Sequence, residues 1–401
     1  MITKFDSLFA GHVDMDNVGY GGVPVNERRL PDEHLTTVFD KAEAMAKLMD
    51  RVGYDTFWMA EHHFQREGME CIPNVLMAAL HLAHVTKNIK LGCGFNITPM
   101  WHPLRLAEDY ATADLLTKGR TVFGVGRGYH SREVETFGNP IIDQEANREL
   151  FEEGVDILFK AFEGKPFSHK GKYYTIPPKV PYRGYTLKKI TLVPAPERLP
   201  VECWQPIVSA SKRGIEFMVR HGIKGLVGGG AAIMAEGPIQ AYQRVANDMG
   251  HDLKLGENLT IGVAFYLAKT REQAVRELKP LYEEHVKMFG ELRLVRALTD
   301  EQIAAMRDPR LAATTKLPRV EDAVKAGGFL TGTPADIIEQ LKAVEKRYPG
   351  VDRVVCATPL GTPLEVQLED LDRFAKEVTP AFRLRCTTPP LRRSWPGGRR
   401  A

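Results

Sequence analysis

The sequence predicts an α/β fold, a (β/α)8 TIM barrel with insertions at the C-terminal face. The first observation is a regular alternation, in which eight short apolar stretches are each followed by a segment whose apolar residues recur at helical spacing. The second is that two of these stretches are followed at once by polar residues suited to catalysis or ligand binding, namely His62 and Arg127. Because a parallel barrel builds its active site from the loops at the carboxyl ends of its strands, both observations favour a closed barrel over an open sheet.

The predicted elements alternate from strand to helix along the chain. Strands are expected at 4–10, 55–60, 89–97, 121–126, 205–210, 223–228, 259–268 and 351–357. Helices are expected at 32–52, 73–85, 103–118, 148–162, 212–221, 238–249, 272–288 and 363–379. Asp32 is placed to cap the first helix and Gly53 to end it, while Pro103 opens the third.

Two segments interrupt this alternation, at 164–201 and at 290–328. The first is rich in Pro, Tyr and Lys and predicts an excursion with a short hairpin; the second is longer and charged. Connections of this length inside a compact domain are usually lids or binding loops, so we expect 290–328 to cover the barrel mouth. The interpretation is a single barrel domain over 1–380, followed by a basic, disordered tail over 381–401.

The charge balance excludes a nucleic-acid surface. The net charge of +3 depends on six arginines in the last twenty residues, which contain no acid, so the rest of the chain is slightly acidic. The start of the chain has no signal-peptide pattern, and no apolar run is long enough to span a bilayer. Five cysteines without a C-x-x-C pair suit a reducing compartment. We therefore expect a cytoplasmic protein with neither a membrane nor a nucleic acid as partner.

The histidine pair that closes the second predicted strand is the first candidate for chemistry. An imidazole is the side chain most easily poised as a base near neutral pH. Adjacent strand residues face opposite ways, so at most one of His62 and His63 faces the barrel mouth. No second carboxylate–histidine cluster stands out later in the sequence to complete a metal shell. A catalytic histidine is favoured over a purely structural pair, and no metal site is predicted.

A second group of residues predicts an anion site. The glycine-rich stretch 124–129 lacks the full G-x-G-x-x-G pattern, and its glycines are also compatible with simple close packing. Arg127 ends the fourth strand, and Arg148 lies near the start of the next helix. Ser209 and Ser211 end the fifth strand and open a helix, whose free amides attract anions. Together these residues predict a phosphate-bearing ligand.

These residues carry a family resemblance. The motifs at 53–64, 102–109, 118–120, 126–129, 137–138 and 332–334 closely resemble those of the bacterial luciferase-like flavin-dependent monooxygenases. The resemblance runs from the first strand to about residue 380 and is densest over 53–150. It implies the TIM-barrel fold that the alternation also predicts.

The resemblance implies the chemistry of a two-component system. A separate flavin reductase supplies reduced FMN, which reacts with O2 to give a flavin C4a-hydroperoxide that inserts one oxygen atom into a small organic substrate. His62 is implied to be the catalytic histidine beside the flavin ring. The family also suggests a homodimer.

The same resemblance implies the cofactor-binding residues. Arg127, Arg148 and Ser211 match phosphate ligands, and Ser209 belongs to the same helix start. Gly126 lies against the flavin and stands where the light-emitting subunit has a cysteine, which argues against bioluminescence but not against flavin binding. Gly94 and Phe95 match a non-prolyl cis peptide, a feature that tends to mark functional sites.

Three alternatives stay open at this point. A deazaflavin (F420)-dependent oxidoreductase could perform hydride transfer on the same barrel without O2, although the residues at 61–64 and the long insertions favour FMN. A non-catalytic flavin-binding partner subunit is a second alternative, against which His62, Arg127 and the long insertion at 290–328 argue. A metal-dependent hydrolase is a remote third. Substrate specificity depends on side chains in the loops, and a single sequence contains no pattern that relates those side chains to a particular substrate.

Overall fold

The structure is a computed structural model that describes residues 1–228, 233–295 and 298–382. Within those residues the chain forms a closed barrel of eight parallel strands. The fourth strand pairs with the fifth, and the eighth pairs with both the seventh and the first, so that the ring closes. The predicted fold class is confirmed. The barrel strands are Lys4–Phe9, Thr56–Met59, Lys90–Cys93, Thr121–Gly126, Cys203–Ile207, Lys224–Val227, Leu259–Leu267 and Arg353–Ala357.

Helices surround the barrel and cover its apolar outer face. The longer ones are Thr37–Val52, Val75–Val85, Pro103–Leu116, Gln144–Phe162, Lys212–Arg220, Ile233–Asp248, Arg271–Glu291, Pro334–Arg347 and Leu364–Arg373. The short α-helices are Asp32–Leu35, Ser131–Val134, Asp300–Ala305, Pro309–Ala312 and Val320–Lys325. Single turns of other helical types occupy Val25–Glu27, Thr98–Met100, Phe374–Val378 and Thr379–Ala381. Among the described residues, every helix is too short or too polar to cross a lipid bilayer.

Local signals set the ends of several helices. Gly53 ends Thr37–Val52 in a left-handed conformation with φ of 87°, and Pro103 is the first residue of its helix, as predicted. The prediction that Asp32 caps the first helix is wrong. Pro31 occupies that position, and Asp32 lies inside the first turn, where its carboxylate still faces the positive end of the helix dipole.

Large apolar side chains fill part of the barrel interior. Trp58, Val122, Trp204, Leu226 and Val355 form one buried cluster there. Next to this cluster, the buried carboxylate of Asp6 accepts hydrogen bonds from Trp58 at 2.9 Å and from Arg353 at 2.6 Å. Burial raises the pKa of Asp6 to about 6, against the opposing effect of Arg353.

The predicted third strand is split in two. Its first part is Lys90–Cys93, and its second part, Asn96–Ile97, pairs with the end of Thr121–Gly126. The Gly94–Phe95 peptide bond between the two parts is cis, as the family resemblance implied.

The insertions lie where the sequence departs from the alternation. The segment 164–201 contains two short hairpins, formed by His169–Lys170 with Thr175–Ile176 and by Val180–Tyr182 with Tyr185–Leu187. The segment 290–328 contains three of the short helices.

The fold continues beyond the second insertion with two elements that were not predicted. The strand Phe329–Gly332 pairs with the end of the seventh barrel strand, and the helix Pro334–Arg347 follows it. The predicted tail, apart from its first two residues, lies outside the described part of the chain.

A buried ionic cluster fixes one wall of the barrel mouth. Glu284 pairs with Arg28 at 3.3 Å and with Lys287 at 2.7 Å, and all three side chains are buried. Lys287 also donates to the carbonyl oxygen of Val23 at 2.8 Å. These contacts attach the long loop after the first strand to the helix Arg271–Glu291, which leads into the insertion at 290–328.

Candidate active site

Polar side chains from the ends of the second and fourth barrel strands meet at one place. His62 follows Thr56–Met59, and Tyr129 follows Thr121–Gly126. The hydroxyl oxygen of Tyr129 lies 3.0 Å from Nε2 of His62. Because Arg127 is only two residues before Tyr129, the predicted histidine and the predicted arginine belong to the same face of the barrel. This face holds the candidate active site.

His62 is buried and held from both sides by carboxylates. Its Nδ1 lies 3.2 Å from Oε1 of Glu133, and its Nε2 lies 3.2 Å from Oε1 of Glu70. Burial acts to lower the pKa of His62, but the charge of Glu70 and the hydrogen bond and charge of Glu133 outweigh it, so that the net shift is upward. The imidazole is therefore stabilised in its protonated form, and its ring orientation is fixed.

Glu133 is itself held in place by neighbours. It accepts hydrogen bonds from the side chain of Gln65 and from the backbone N–H of His63, both at 3.1 Å. Arg132 in turn donates to Oε1 of Gln65 at 2.6 Å. Burial acts to raise the pKa of Glu133, but the hydrogen bond and charge of His62, the charge of His130 and the backbone N–H of His63 lower it overall. Glu133 is therefore a charged, oriented partner for His62.

Glu70 joins the other side of the network. It accepts a hydrogen bond from the Tyr129 hydroxyl at 2.6 Å and lies 2.9 Å from Nε2 of His130. Burial, followed by the charge of Glu70, raises the pKa of Tyr129 well above its ordinary value, so the phenol keeps its proton. From the sequence, no second carboxylate–histidine cluster was expected later in the chain to complete a metal shell; the fold brings Glu70 and His130 to His62. Neither residue follows a local pattern that could have indicated this.

His63 points to a different set of partners. Its Nε2 lies 3.1 Å from Oε1 of Glu61, a buried carboxylate that also accepts from Trp101 Nε1 at 2.9 Å and from the backbone N–H of Ile97 at 3.0 Å. Glu61 thus connects the end of the second strand to the residues after the cis peptide. The two adjacent histidines serve separate networks, as strand geometry leads one to expect.

The predicted anion-binding residues gather on the other side of the mouth. Arg127 donates to the side chain of Asn147 at 2.8 Å and to the backbone carbonyl of Gln144 at 2.9 Å. Burial and the nearby charge of Arg148 lower the pKa of Arg127. Two guanidinium groups thus lie near each other, and the charges of Glu152 and Glu145 offset part of their repulsion.

A helix N-terminus faces the same guanidinium pair. Ser211 is the N-cap of Lys212–Arg220, and its hydroxyl accepts from the backbone N–H of Gly214 at 3.5 Å. A Cβ atom placed on Gly214 would lie 3.5 Å from a terminal nitrogen of Arg148, so Arg148 rests against this first turn. The nearby Glu145 and Glu152 pair instead with Arg213, at 2.5 and 2.7 Å. Ser209 is exposed two residues before the cap.

Small residues line the mouth between the two polar groups. A Cβ on Gly94 would lie 3.4 Å from the Trp58 ring, so this position faces the barrel interior. A Cβ on Gly126 would lie 3.2 Å from Ile97 and 3.3 Å from Phe95. A side chain larger than hydrogen at Gly126 would therefore crowd the surface that these residues present.

Comparison with known proteins points to one family. A sequence profile of the luciferase-like monooxygenases matches residues 21–353. The oxygenase component of the flavin-dependent trigonelline monooxygenase of Acinetobacter baylyi is 25% identical over 378 residues, 89% of this chain and 94% of that protein. An uncharacterized protein of Sinorhizobium fredii is 37% identical over 133 residues, so the match spans only 36% of that relative's length and 33% of this chain.

Solved structures share the fold. The oxygenating constituent of 3,6-diketocamphane monooxygenase of Pseudomonas putida, in complex with FMN, matches with a TM-score of 0.69 at 20% identity, covering 95% of this chain and 99% of that one. An F420-dependent secondary alcohol dehydrogenase matches with a TM-score of 0.64 at 15% identity, covering 96% of this chain and 100% of the other. At these identities the likeness shows the barrel and does not choose between the two cofactors.

Proposed function

This chain belongs to the luciferase-like monooxygenase family, and we propose that it is the oxygenase component of a two-component, FMNH2-dependent monooxygenase acting on a small organic substrate. One observation supports this most. Two groups lie on the same face of the barrel. One is the pair Arg127 and Arg148 beside a helix N-terminus, and the other is the buried His62 between two carboxylates. The first suits a phosphate, and the second suits control of a proton beside reacting atoms.

The residues present fit reduced FMN. Arg127, Arg148 and the helix that Ser211 caps would hold the phosphate group, with Ser209 beside them, because two guanidinium groups lie near a helix N-terminus while the nearby Glu145 and Glu152 pair with Arg213. Gly94, Phe95 and Gly126 would border the flavin ring, since Gly94 and Gly126 carry no side chain and Phe95 packs beside Gly126. When bound, reduced FMN supplies the two electrons and two protons with which one atom of O2 enters the substrate and the other leaves as water.

His62 is proposed as the catalytic residue. Its Nε2 faces a hydroxyl at 3.0 Å and a carboxylate at 3.2 Å, so a proton can move within the network without crossing bulk water. Two roles are consistent with this geometry, namely transfer of a proton during oxygenation and orientation of the substrate. The carboxylate of Glu133 fixes which ring nitrogen faces Tyr129 in either role.

Residues 290–328 are proposed as a lid over this site. The helix that precedes them, Arg271–Glu291, brings Phe289 to a ring-centroid distance of 6.3 Å from Tyr129. On the same helix, burial lowers the pKa of His285 to about 4, with Glu70 acting in the opposite direction. The insertion therefore starts directly beside the polar network. Closing a site of this kind keeps water away from reactive oxygen species.

The proposed assembly includes a separate flavin reductase in the cytoplasm. The relative from Acinetobacter is named as an oxygenase component, which supports a partner that supplies the reduced flavin. A homodimer is proposed on family grounds. Neither nucleic acid nor membrane enters the proposal.

The proposed function is tested by coupled oxygenation with labelled oxygen. The chain would be combined with NADH, FMN, a flavin reductase and a panel of ketones, terpenoids and N-heterocycles under 18O2, and products would be analysed by mass spectrometry. We expect one 18O atom in the product of at least one substrate class. Release of all the oxygen as hydrogen peroxide with every substrate, or substrate turnover only with F420 and no need for O2, would contradict the proposal.

A further inference from the structure

Three buried side chains in the active-site network form a compact set of metal-ligating atoms. His62, Glu70 and His130 each offer one ligand atom, and these atoms all lie within 4.8 Å of one another. Oxygen atoms of Glu70 lie 3.2 Å from Nε2 of His62 and 2.9 Å from Nε2 of His130. Ligands of a tetrahedral cation with bonds near 2 Å are separated by roughly 3.3 Å, so the two spacings to Glu70 need little adjustment. The two imidazoles, whose ligand atoms lie within 4.8 Å of each other, would move closer on binding.

The ligand types fit a divalent transition metal. Two imidazoles and one carboxylate, with a fourth position open, are the protein ligands of many zinc sites. Imidazole suits zinc and its neighbours in the first transition series, whereas magnesium and calcium require mostly oxygen ligands. The hydroxyl of Tyr129, 2.6 Å from Glu70, lies beside the set as a neutral fourth group.

The surroundings supply an outer shell. Glu133 lies 3.2 Å from Nδ1 of His62, which leaves Nε2 of that ring directed at Glu70. A carboxylate on the second ring nitrogen of a metal-binding histidine is a usual feature of zinc sites, since it fixes the tautomer and the ring orientation. Gln65 and the backbone of His63 hold Glu133 in turn.

The local charge also favours a dication. Glu70 and Glu133 are both buried, and Glu61 adds a further negative charge near His62. Arg132 is directed at Gln65 and Glu67 rather than at Glu70. A cation of charge +2 would balance the two carboxylates that contact His62.

We propose that His62, Glu70 and His130 form a binding site for a zinc-class divalent cation. A cation bound at this site is coordinated by Nε2 of His62, the atom that otherwise faces the hydroxyl of Tyr129. The consequence for activity rests on the proposed function: a bound cation removes His62 from catalysis, so zinc acts as an inhibitor of oxygenation.

Zinc binding is measured directly, without flavin or substrate, so that the result does not depend on activity. Equilibrium dialysis of the purified chain against Zn2+, followed by metal analysis, is expected to give one tightly bound ion, and Mg2+ is expected not to compete. Glu70→Gln and His130→Gln are expected to weaken binding by about 100-fold or more. Glu133→Gln, which alters only the outer shell, is expected to weaken it by about 10- to 100-fold.

The matched control is His63→Gln, which changes the neighbouring histidine whose Nε2 contacts Glu61 instead. Its zinc affinity is expected to equal that of the wild type. Circular dichroism and the thermal midpoint establish that each variant is folded, and Co2+ absorption gives a second measure of ligation that does not depend on stability. No stoichiometric zinc, or zinc whose affinity is unchanged by both Glu70→Gln and His130→Gln in folded protein, would overturn the proposal.

The inhibition is tested separately in the coupled assay. Zinc at concentrations that fill the site is expected to stop oxygen incorporation in the wild type, and the reductase alone serves as the control for zinc effects on flavin supply. If the protein binds zinc and still incorporates oxygen into the substrate at an undiminished rate, the inhibitory role would be overturned. If no substrate is ever oxygenated, the proposed function fails while the dialysis result on the cation site still stands by itself.

Discussion

The hydroxyl oxygen of Tyr129 lies 3.0 Å from Nε2 of His62, although the two residues are 67 positions apart in the chain. This contact joins the loops that follow the second and fourth barrel strands. It also places the histidine motif and the arginine motif on one surface, since Arg127 precedes Tyr129 by two residues. The proposed chemistry depends on this junction.

Replacement of His62 should separate cofactor binding from catalysis. We expect His62→Ala to bind reduced FMN as the wild type does, because the proposed phosphate ligands lie on other loops. Oxygen incorporation should fall by about 100- to 10,000-fold if the imidazole transfers a proton. The control is His63→Ala, whose side chain contacts Glu61. Unchanged incorporation in His62→Ala would remove His62 from the mechanism.

Tyr129→Phe tests the hydroxyl that bridges His62 and Glu70. Without it, His62 and Glu70 face each other directly at 3.2 Å, and the hydroxyl that contacts both is lost. We expect about a 10-fold or greater shift from substrate oxygenation to peroxide release. The ratio of product to peroxide measures this shift. Tyr173→Phe, which loses contacts to Ala146 and Glu149 outside the network, should leave the ratio unchanged.

Asp370 should make stability depend on pH. Its carboxyl is buried and its pKa is raised from 3.8 to about 8, mainly by burial, despite a hydrogen bond from the backbone of Leu267. The folded state therefore binds this proton more tightly than the unfolded state does. The stabilisation that comes from this more tightly bound proton of Asp370 is fully present below about pH 4 and is lost as the pH rises through about 8.

Asp370→Asn should remove this dependence, because the amide resembles the neutral acid. We expect the variant to be more stable than the wild type at pH 8.5 by about 1–3 kcal/mol, with a smaller difference at pH 5. The free energy of unfolding in urea, measured for both proteins at pH 8.5 and at pH 5, gives this difference. Asp372→Asn is the control, since that carboxylate is partly exposed and pairs with Lys376. A wild-type protein more stable than Asp370→Asn at pH 8.5 would refute the assignment.

The proposed lid should be the first part of the chain that a protease cuts. Arg307 and Arg310 are exposed in the segment 290–328, so brief trypsin treatment should cleave there. Reduced FMN with a substrate should slow that cleavage if the segment closes over the site. The segment 164–201 is also exposed and serves as an internal control. Equal cleavage rates with and without ligand would argue against a lid.

The sequence predicted the features that depend on local signals. The eight barrel strands carry apolar runs, and Gly53 and Pro103 mark helix ends through backbone chemistry of their own. Ser211 was placed at the start of a helix from the sequence, and in the structure it is the N-cap of Lys212–Arg220.

What the sequence did not predict depends on contacts across the fold. Glu70 and His130 lie in loops without periodicity, and only the closed barrel brings them to His62. The strand Phe329–Gly332 lies outside the eightfold alternation, and it exists because the end of the seventh strand offers a pairing edge. Tertiary contact determined these features, and a single sequence does not record it.

The most direct test of the account is an anaerobic titration of the chain with reduced FMN, followed by calorimetry or fluorescence. We expect one FMNH2 per chain, and Arg148→Ala should weaken its binding by about 10- to 100-fold, the effect of losing about 1.5–3 kcal/mol from a charge-assisted phosphate contact. Arg105→Ala, an exposed arginine paired with Glu108, should bind as the wild type does. Failure of the wild type to bind FMNH2, or equal affinity in Arg148→Ala, would contradict the account.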